Sequence, residues 1–281
     1  LGLAYPGCCA EESAAIDFNG ISKVTAVTDA LAVLCTDQAQ HLVSEQLALK
    51  LGVPVLDSAS IDKHSPWAFY LSYRDDALKL LDAASLKKGG LMVEIDPRPG
   101  EQHSYPAPKK DLLAQAVGKK THTIVDATCG WAQDSLALFR MGYQVTCIER
   151  SPVMAALIND GLQRLAQKDW VLNRQLQVPE LRAGNAIELL TSLSAAPDCI
   201  YLDPMFPPKR KKSAATRKSM AVLRDILGDD LDKQQLFEAA MQAAGKRVVV
   251  KGPDDAEPLG GTPSMSLTSK LLRYDVYLKG V

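Results

Sequence analysis

The residues best suited to chemistry lie in the stretch IYLDPMFPP, residues 200–208. Asp203 follows three apolar residues, and Pro204 and Phe206 follow the acid. An exocyclic amine on a nucleobase has its lone pair delocalised into the ring, so it must be positioned before it can accept a methyl group. The Asp203 carboxylate and the Pro204 carbonyl can accept the two amine hydrogens, and the Phe206 ring can stack on the base. We therefore predict that these three residues are catalytic.

A run of cations follows directly after this stretch. Residues 209–218 contain six cations and no acid. An isolated charge run is usually a solvated loop, but its position beside the amine-binding residues favours contact with RNA phosphates. A base that enters such a site must first be unstacked. The predicted RNA-binding residues are Lys209, Arg210, Lys211, Lys212, Arg217 and Lys218.

From residue 111 onward the sequence alternates between strand and helix patterns. Such alternation predicts an α/β fold with a doubly wound, mainly parallel sheet of the Rossmann-like type, in which ligands bind at the carboxyl ends of the strands. The predicted strands are 123–128, 144–148, 177–182, 199–202 and 247–250, and residues 266–279 predict a terminal antiparallel hairpin. The predicted helices are 111–117, 133–141, 151–166, 186–193 and 220–244, with Ser151 as a cap and Pro152 at the first helical position.

The first 110 residues predict a small N-terminal α/β domain that docks RNA. Its predicted strands are 23–27, 31–36, 53–56, 68–72 and 91–95, and its predicted helices are 38–51 and 77–84. Residues 96–110 contain four prolines, which exclude a regular element there. We place a domain boundary in this segment, so that the second domain comprises residues 111–281.

The loop after the first predicted strand of that domain reads VDATCGWAQD and indicates which ligand the sheet binds. A dinucleotide site needs several glycines for close approach of the pyrophosphate, whereas this loop has only Gly130. Asp126 and Asp134 add negative charge that would repel a pyrophosphate, which disfavours a nicotinamide dehydrogenase. The loop suits a cationic ligand such as S-adenosyl-L-methionine, which carries a sulfonium and an ammonium group but no phosphate.

Two further strand ends offer polar contacts to a nucleoside. Glu149 ends the next predicted strand and can accept hydrogen bonds from ribose hydroxyls, but it can equally cap the following helix. Asn185, after Gly184, can meet an adenine edge, although a simple N-cap is the better hypothesis for Asn185 alone.

Composition excludes several classes of protein. The 281 residues carry a net charge of −1 and are 47% apolar, and no stretch approaches the ~20 apolar residues of a membrane span. The six cysteines form no C-x-x-C pair, the four histidines lack ligand spacing, and no Gly-x-Ser-x-Gly elbow indicates a hydrolase. We expect no metal and no membrane association. Residues 1–12 lack the charged start of a signal peptide, so we expect reduced thiols in the cytoplasm.

The motif at residues 203–206 resembles [DNS]-P-P-[FYW], which is typical of class I methyltransferases that modify exocyclic amines, with Met205 at the third position. The blocks DATxG…D, IER, AALINDGL, LDPMFP and RVVVK together resemble the RsmJ family, whose members are named 16S rRNA (guanine(1516)-N(2))-methyltransferases. The resemblance covers roughly residues 111–281. It implies a class I methyltransferase fold, S-adenosyl-L-methionine as cofactor, the N2 amine of a guanine as methyl acceptor, and 16S rRNA or the small ribosomal subunit as partner.

The resemblance also implies a set of cofactor contacts, to which the loop adds Asp126 and Gly130. The implied contacts are Gln133, Asp134, Glu149, Arg150, Gly184, Asn185 and Asp203. Two departures stand out: the family loop G-L-G-[RK]-D is G-W-A-Q-D here, and residues 96–110 lack the glycine-rich run of a basic segment. Two alternatives stay open, an adenine-N6 nucleic-acid methyltransferase and a non-catalytic RNA-binding module on the same fold.

Overall fold

The computed structural model describes residues 30–57, 65–83, 86, 89–96, 105–205 and 232–280. In these ranges the chain forms two sheets flanked by helices. The strand predicted at 23–27 lies outside the described residues, as do residues 220–231 of the helix predicted at 220–244.

The smaller sheet has the strand order β2-β1-β3-β4. Its strands are β1 (Leu31–Cys35), β2 (Val55–Asp57), β3 (Phe69–Arg74) and β4 (Ala77–Asp82). β1 pairs in parallel with β2 and β3, and β3 pairs with β4 in an antiparallel hairpin. Every residue of β1 is buried, as expected for a central strand covered on both faces.

The larger sheet has the strand order β10-β11-β9-β8-β5-β6-β7. Its strands are β5 (Thr123–Asp126), β6 (Gln144–Glu149), β7 (Glu180–Ala183), β8 (Cys199–Leu202), β9 (Arg247–Gly252), β10 (Met265–Thr268) and β11 (Arg273–Leu278). β5 to β9 are parallel, and β10 and β11 form the antiparallel end, so the predicted parallel sheet with a terminal hairpin is confirmed. Strand order reverses between β5 and β8, which places a binding crevice at their carboxyl ends.

Seven α-helices lie within the described residues. They are α1 (His41–Leu51), α2 (Leu112–Val117), α3 (Gln133–Arg140), α4 (Pro152–Ala166), α5 (Asp169–Leu172), α6 (Ala186–Thr191) and α7 (Lys233–Ala243). The predicted start of α4 is confirmed: the Ser151 hydroxyl accepts a hydrogen bond from the Met154 amide, and Pro152 occupies the first helical position. The short helix α5 was not predicted. None of these helices has the length and hydropathy needed to cross a membrane.

The helix predicted at 77–84 is wrong, because this segment forms β4. Asp75 and Asp76 have φ angles of 50° and 56°, a left-handed pair that makes the two-residue turn of a hairpin. Ala, Leu and Lys favour helix locally, but pairing with β3 and burial of the segment override that preference. The strand predicted at 91–95 is reduced to a single bridge between Leu91 and Leu80.

Helix α4 packs the smaller sheet against the larger one. Residues of β1, β3 and β4 share one hydrophobic cluster with apolar residues of α4, including Met154 and Leu157. Gly161 lets Val93 approach the helix so closely that a Cβ on Gly161 would lie 2.7 Å from Val93 Cγ1. Arg164 Nη2 donates a hydrogen bond to the Val93 carbonyl at 2.9 Å. The boundary at residue 110 stays a prediction, since both sides of it contribute to this cluster.

The cysteines in the described ranges are all buried free thiols: Cys35, Cys129, Cys147 and Cys199. Cys8 and Cys9 lie outside the described residues.

Gly161→Ala should destabilise the protein, although Gly→Ala normally stabilises a helix interior by about 1 kcal/mol. Because the added methyl would overlap the buried Val93, we expect a loss of about 1–3 kcal/mol in the free energy of unfolding, measured in urea. In the double variant with Val93→Gly both close atoms, Cγ1 and Cβ, are gone, so the loss should be smaller than the sum of the single losses. A Gly161→Ala variant as stable as the parent would contradict this account of the packing.

Candidate active site

Hydrogen bonds between strand ends close the base of the crevice between β5 and β8. The Ala127 amide donates to the Tyr201 carbonyl at 3.0 Å, and the Asp203 amide donates to the Thr128 hydroxyl at 2.6 Å. These bonds fix the loop after β5 against the end of β8 and the residue that follows it. Beside them lies an open cleft with an empty volume of about 570 Å³.

The cleft brings together six of the residues predicted to bind the cofactor. They are Gly130, Glu149, Arg150, Gly184, Asn185 and Asp203. It is also lined by residues that were not predicted, among them Thr128, Ile187, Met205, Asp232 and Leu236. Of these, Met205 was noted only as a departure from the amine-methylation motif. Leu236 and Asp232 come from the start of α7, which no motif marks.

Glu149 links the glycine loop to the start of α4. Its Oε2 accepts the Gly130 amide at 2.9 Å, and its Oε1 accepts the Ser151 amide at 2.8 Å. The residue is only 5% exposed. Each carboxylate oxygen has two acceptor positions, so the same group can also receive a hydroxyl from the cleft. Both hypotheses for Glu149, helix entry and ligand contact, are therefore compatible with this geometry.

Asn185 is the N-cap of α6, which confirms the hypothesis favoured for this residue alone. Its Oδ1 accepts the Ile187 amide at 2.9 Å. The preceding Gly184 has a φ of 151° and donates its amide to the Glu149 carbonyl at 2.9 Å. Both residues line the cleft.

The loop after β5 uses two left-handed residues, Gly130 with a φ of 54° and Ala132 with a φ of 57°. Ala132 occupies the position of the second glycine in the family loop G-L-G-[RK]-D. A left-handed conformation costs a residue with a Cβ roughly 1–2 kcal/mol. The backbone here therefore gives a physical reason why glycine suits that position, and this chain adopts the same turn with alanine.

Asp126 lies beneath the loop and does not line the cleft. It is 2% exposed, and its carboxylate accepts the Thr128 amide at 3.1 Å and the Ser135 hydroxyl at 2.5 Å. Burial raises the pKa of Asp126 from the usual 3.8 to about 7, against the lowering effect of the Ser135 hydrogen bond. The structure thus places this predicted cofactor residue as a support of the loop. Gln133 and Asp134, at the start of α3, also lie outside the lining.

Asp134 and Asp203 meet at Lys251, for which the sequence indicated no role. Lys251 Nζ lies 2.6 Å from Asp134 Oδ2 and 2.9 Å from Asp203 Oδ2. Burial alone would lower the pKa of Lys251, but the Asp203 and Asp134 carboxylates outweigh it and raise that pKa. The Tyr201 hydroxyl donates to Asp134 at 2.6 Å. The position of Lys251 in the sequence could have predicted this contact. It lies near the carboxyl end of β9, which pairs with β8, the strand that precedes Asp203.

The charges that line the cleft suit a cationic ligand. Glu149, Asp203 and Asp232 contribute carboxylates, while the lining cation Arg150 forms an ion pair with Asp232 at 3.4 Å. A pyrophosphate would be repelled here, whereas the sulfonium and ammonium groups of S-adenosyl-L-methionine would be attracted. The residues present therefore fit that cofactor.

The residues predicted from Pro204 onward differ in whether the structure describes them. Pro204 is buried next to Asp203. Phe206 lies outside the described residues, as do all six predicted RNA-binding cations: Lys209, Arg210, Lys211, Lys212, Arg217 and Lys218. Among the residues that are described, no group of three or more His, Cys, Asp or Glu side chains could hold a metal ion.

Comparison with known proteins agrees with this geometry. The SAM_MT family model, which describes SAM-dependent methyltransferases, matches residues 55–279. The chain is 37% identical over 251 residues to ribosomal RNA small subunit methyltransferase J of Tolumonas auensis, covering 88% of this chain and 97% of that protein. It is 41% identical over 219 residues to the protein of the same name from Aeromonas salmonicida, covering 75% and 86% respectively.

One solved structure is similar to this chain over most of the length of both proteins. It is the crystal structure of a SAM-dependent methyltransferase from Neisseria gonorrhoeae, with a TM-score of 0.65 and 29% sequence identity. The similarity covers 88% of this chain and 96% of that one. The predicted Rossmann-like, class I methyltransferase fold is thereby confirmed.

Asp126→Asn should change how stability depends on pH. Because the folded protein keeps this proton to higher pH than the unfolded chain, the contribution of Asp126 to stability falls as pH rises from about 4 to about 7. Asparagine cannot ionise, so the variant should gain stability relative to the parent across that range, as measured by urea unfolding at several pH values.

Asp198→Asn is the matched control for this titration. Burial alone would raise the pKa of Asp198, but its hydrogen bonds to Lys246 and to the His122 and Thr123 amides lower it overall. Asp198 is therefore ionised throughout pH 5–8, and its replacement should cost a constant amount there. Equal pH profiles for Asp126→Asn and the parent would contradict a buried, proton-holding Asp126.

Glu149→Gln should weaken binding of S-adenosyl-L-methionine. The side-chain amide keeps only one acceptor oxygen, so either the Gly130 or the Ser151 amide loses its partner. The neutral amide also weakens the hydrogen bond that the carboxylate would accept from a ligand hydroxyl. A charged hydrogen bond contributes about 1.5–3 kcal/mol, so we expect a loss of about 10–100-fold in affinity, measured by calorimetry. Glu180→Gln, at an exposed carboxylate paired with Arg182 outside the cleft, should bind normally. Equal affinities of both variants would exclude a role for Glu149 in the site.

Proposed function

Because this chain belongs to the ribosomal RNA small subunit methyltransferase J family, we propose that it methylates the exocyclic N2 amine of a guanine in 16S rRNA. The observation that carries the proposal is the position of Asp203. It directly follows β8 at the strand-order reversal and lines the acidic cleft. A hydrogen-bond acceptor for an amine therefore lies next to a site suited to a cationic methyl donor.

The cofactor is S-adenosyl-L-methionine, which when bound supplies a methyl group on a positively charged sulfur. Within the cleft, Gly130 allows close approach of a ligand to the backbone, and Glu149 presents carboxylate oxygens to hydroxyl groups. Gly184 and Asn185 line the cleft beside Glu149 and would meet the adenine ring. The carboxylates that surround the cleft stabilise positive charge at this position.

In this proposal, the residues of the chain position the substrate amine and do not need to remove a proton from it before methyl transfer. The Asp203 carboxylate and the Pro204 carbonyl would accept the two hydrogens of the amine and direct its nitrogen toward the cleft. An amine proton becomes acidic only after the nitrogen has gained a methyl group, so no strong base is required. The Asp203 carboxylate then also stabilises the positive charge that develops on the nitrogen. In this proposal the Phe206 ring stacks on the base.

RNA binding is assigned to two parts of the chain. The cations between residues 209 and 218 directly follow the catalytic motif in sequence, where substrate phosphates would lie. Residues 1–110 would form a domain that docks the RNA, either as free 16S rRNA or within the small ribosomal subunit. With such a substrate, we expect the protein to act in the cytoplasm.

Asp203→Ala should lose most of its turnover while RNA affinity falls little. Loss of one preorganised catalytic contact typically costs about 10²–10³ in kcat, whereas phosphate contacts supply most of the RNA affinity. Asp203→Asn keeps one acceptor oxygen and should lose less. Methyl transfer from labelled cofactor to small-subunit rRNA, together with filter binding of the RNA, measures both quantities.

Labelled transfer to guanine-only and adenine-only RNA oligomers identifies the base. Activity on guanine alone supports the proposal, and activity on adenine alone would make the protein an N6-adenine methyltransferase. A parent protein that binds no S-adenosyl-L-methionine by calorimetry would be a non-catalytic RNA-binding module. Mass mapping of small-subunit rRNA from cells lacking the protein, before and after it is added back, locates the nucleotide.

A further inference from the structure

Lys251 contacts both Asp203, which is proposed to bind the substrate amine, and Asp134, which follows the loop after β5. In the register of the sheet, Leu202 of β8 pairs with Val250 of β9. Asp203 is the residue directly after β8, and Lys251 is the next residue of β9. The Lys251 ammonium is 2.9 Å from Asp203 Oδ2 and 2.6 Å from Asp134 Oδ2. One cation is therefore shared by a carboxylate of the catalytic motif and a carboxylate at the start of α3.

The three charges are half-buried rather than freely solvated. The side chains of Lys251, Asp134 and Asp203 are 23%, 24% and 39% exposed. At this degree of burial the carboxylates would repel each other strongly without the ammonium, and one of them would keep its proton to higher pH. A protonated Asp203 would carry a hydrogen-bond donor where the amine needs an acceptor.

We propose that Lys251 is a positioning residue of the methyl-transfer reaction, which keeps Asp203 ionised and oriented toward the substrate amine. This inference rests on the proposed function, because it assigns Asp203 to the amine. It adds a residue from β9 to a site otherwise built from β5, β6, β7, β8 and the helices that follow them.

Other titratable groups surround the ammonium, and none of them can replace it. Tyr201 of β8 and Tyr274 of β11 are held neutral, since burial raises the pKa of each phenol. Asp126 of β5 is a further carboxyl whose pKa is raised by burial. Asp134 of α3 is bound directly to Lys251. These neighbours are neutral or negative, so none of these four groups supplies the positive charge that Lys251 places against Asp203.

Lys251→Met is the principal test, with kcat and KM for rRNA methylation measured from pH 5 to pH 9. The ratio of variant to parent kcat should be well below one at neutral pH and should rise with pH, by about tenfold per unit below the new midpoint. The affinity for S-adenosyl-L-methionine, measured by calorimetry, should change by less than about tenfold.

Lys246→Met is the matched control, because Lys246 directly precedes the same strand and forms an ion pair with Asp198 at 2.7 Å. It lies at the end of β9 that faces away from the cleft, so its replacement should leave kcat and the pH profile unchanged. Lys251→Arg keeps the positive charge. It should have a lower kcat than the parent, but its kcat should not show the rise with pH that is expected for Lys251→Met.

A second measurement does not depend on activity. Carbon NMR of the Asp203 carboxyl in the parent protein should show an ionised group throughout pH 5–9, and Lys251→Met should shift its titration into this range. A parent Asp203 that titrates above pH 5 would overturn the inference even if no Lys251 variant folds. So would a Lys251→Met variant with parental kcat and pH profile. A parent that transfers no methyl to rRNA refutes the proposed function instead, and the NMR titration still reports on the ion pair.

Discussion

An ammonium group shared between two carboxylates lies where the carboxyl ends of β8 and β9 meet the start of α3. Lys251 joins the end of β9 to the residue after β8 and to the first turn of α3. Removing such charges from water is costly, and their attraction compensates only when the geometry is good. The two short contacts meet that condition. They fix the cofactor loop, which leads into α3, relative to the acid that would hold the substrate amine.

Polar contacts also join these strand ends. Thr128 accepts the Asp203 amide, Glu149 binds amides of the glycine loop and of the entry to α4, and Asp126 supports the loop from below. Parallel strands end in backbone groups that lack sheet partners, and these side chains satisfy them. The carboxylates required for a cationic cofactor therefore also hold the loop together, so binding and local stability depend on the same residues.

The sequence alone predicted the larger sheet, and it predicted that acids and glycines lie at the ends of its strands. Alternating patterns located β5, β6, β8 and β9, and parallel pairing then requires their carboxyl ends to meet at one edge. The hairpin at β4 was missed because its residues prefer helix and only the left-handed pair Asp75 and Asp76 marks the turn. Lys251 was missed because its partners are distant in sequence, and the depth of Asp126 depends on how the loop folds over it.

The close approach of Gly161 to Val93 has a consequence for how this family can diversify. The smaller sheet and the larger one share a hydrophobic cluster through α4, and the family match begins at the first residue of β2 and continues to residue 279. An N-terminal part transplanted from a distant methyltransferase would leave apolar surface exposed on both pieces unless α4 changed with it. New RNA targets should therefore evolve through substitutions on surface loops, while the two sheets are inherited together.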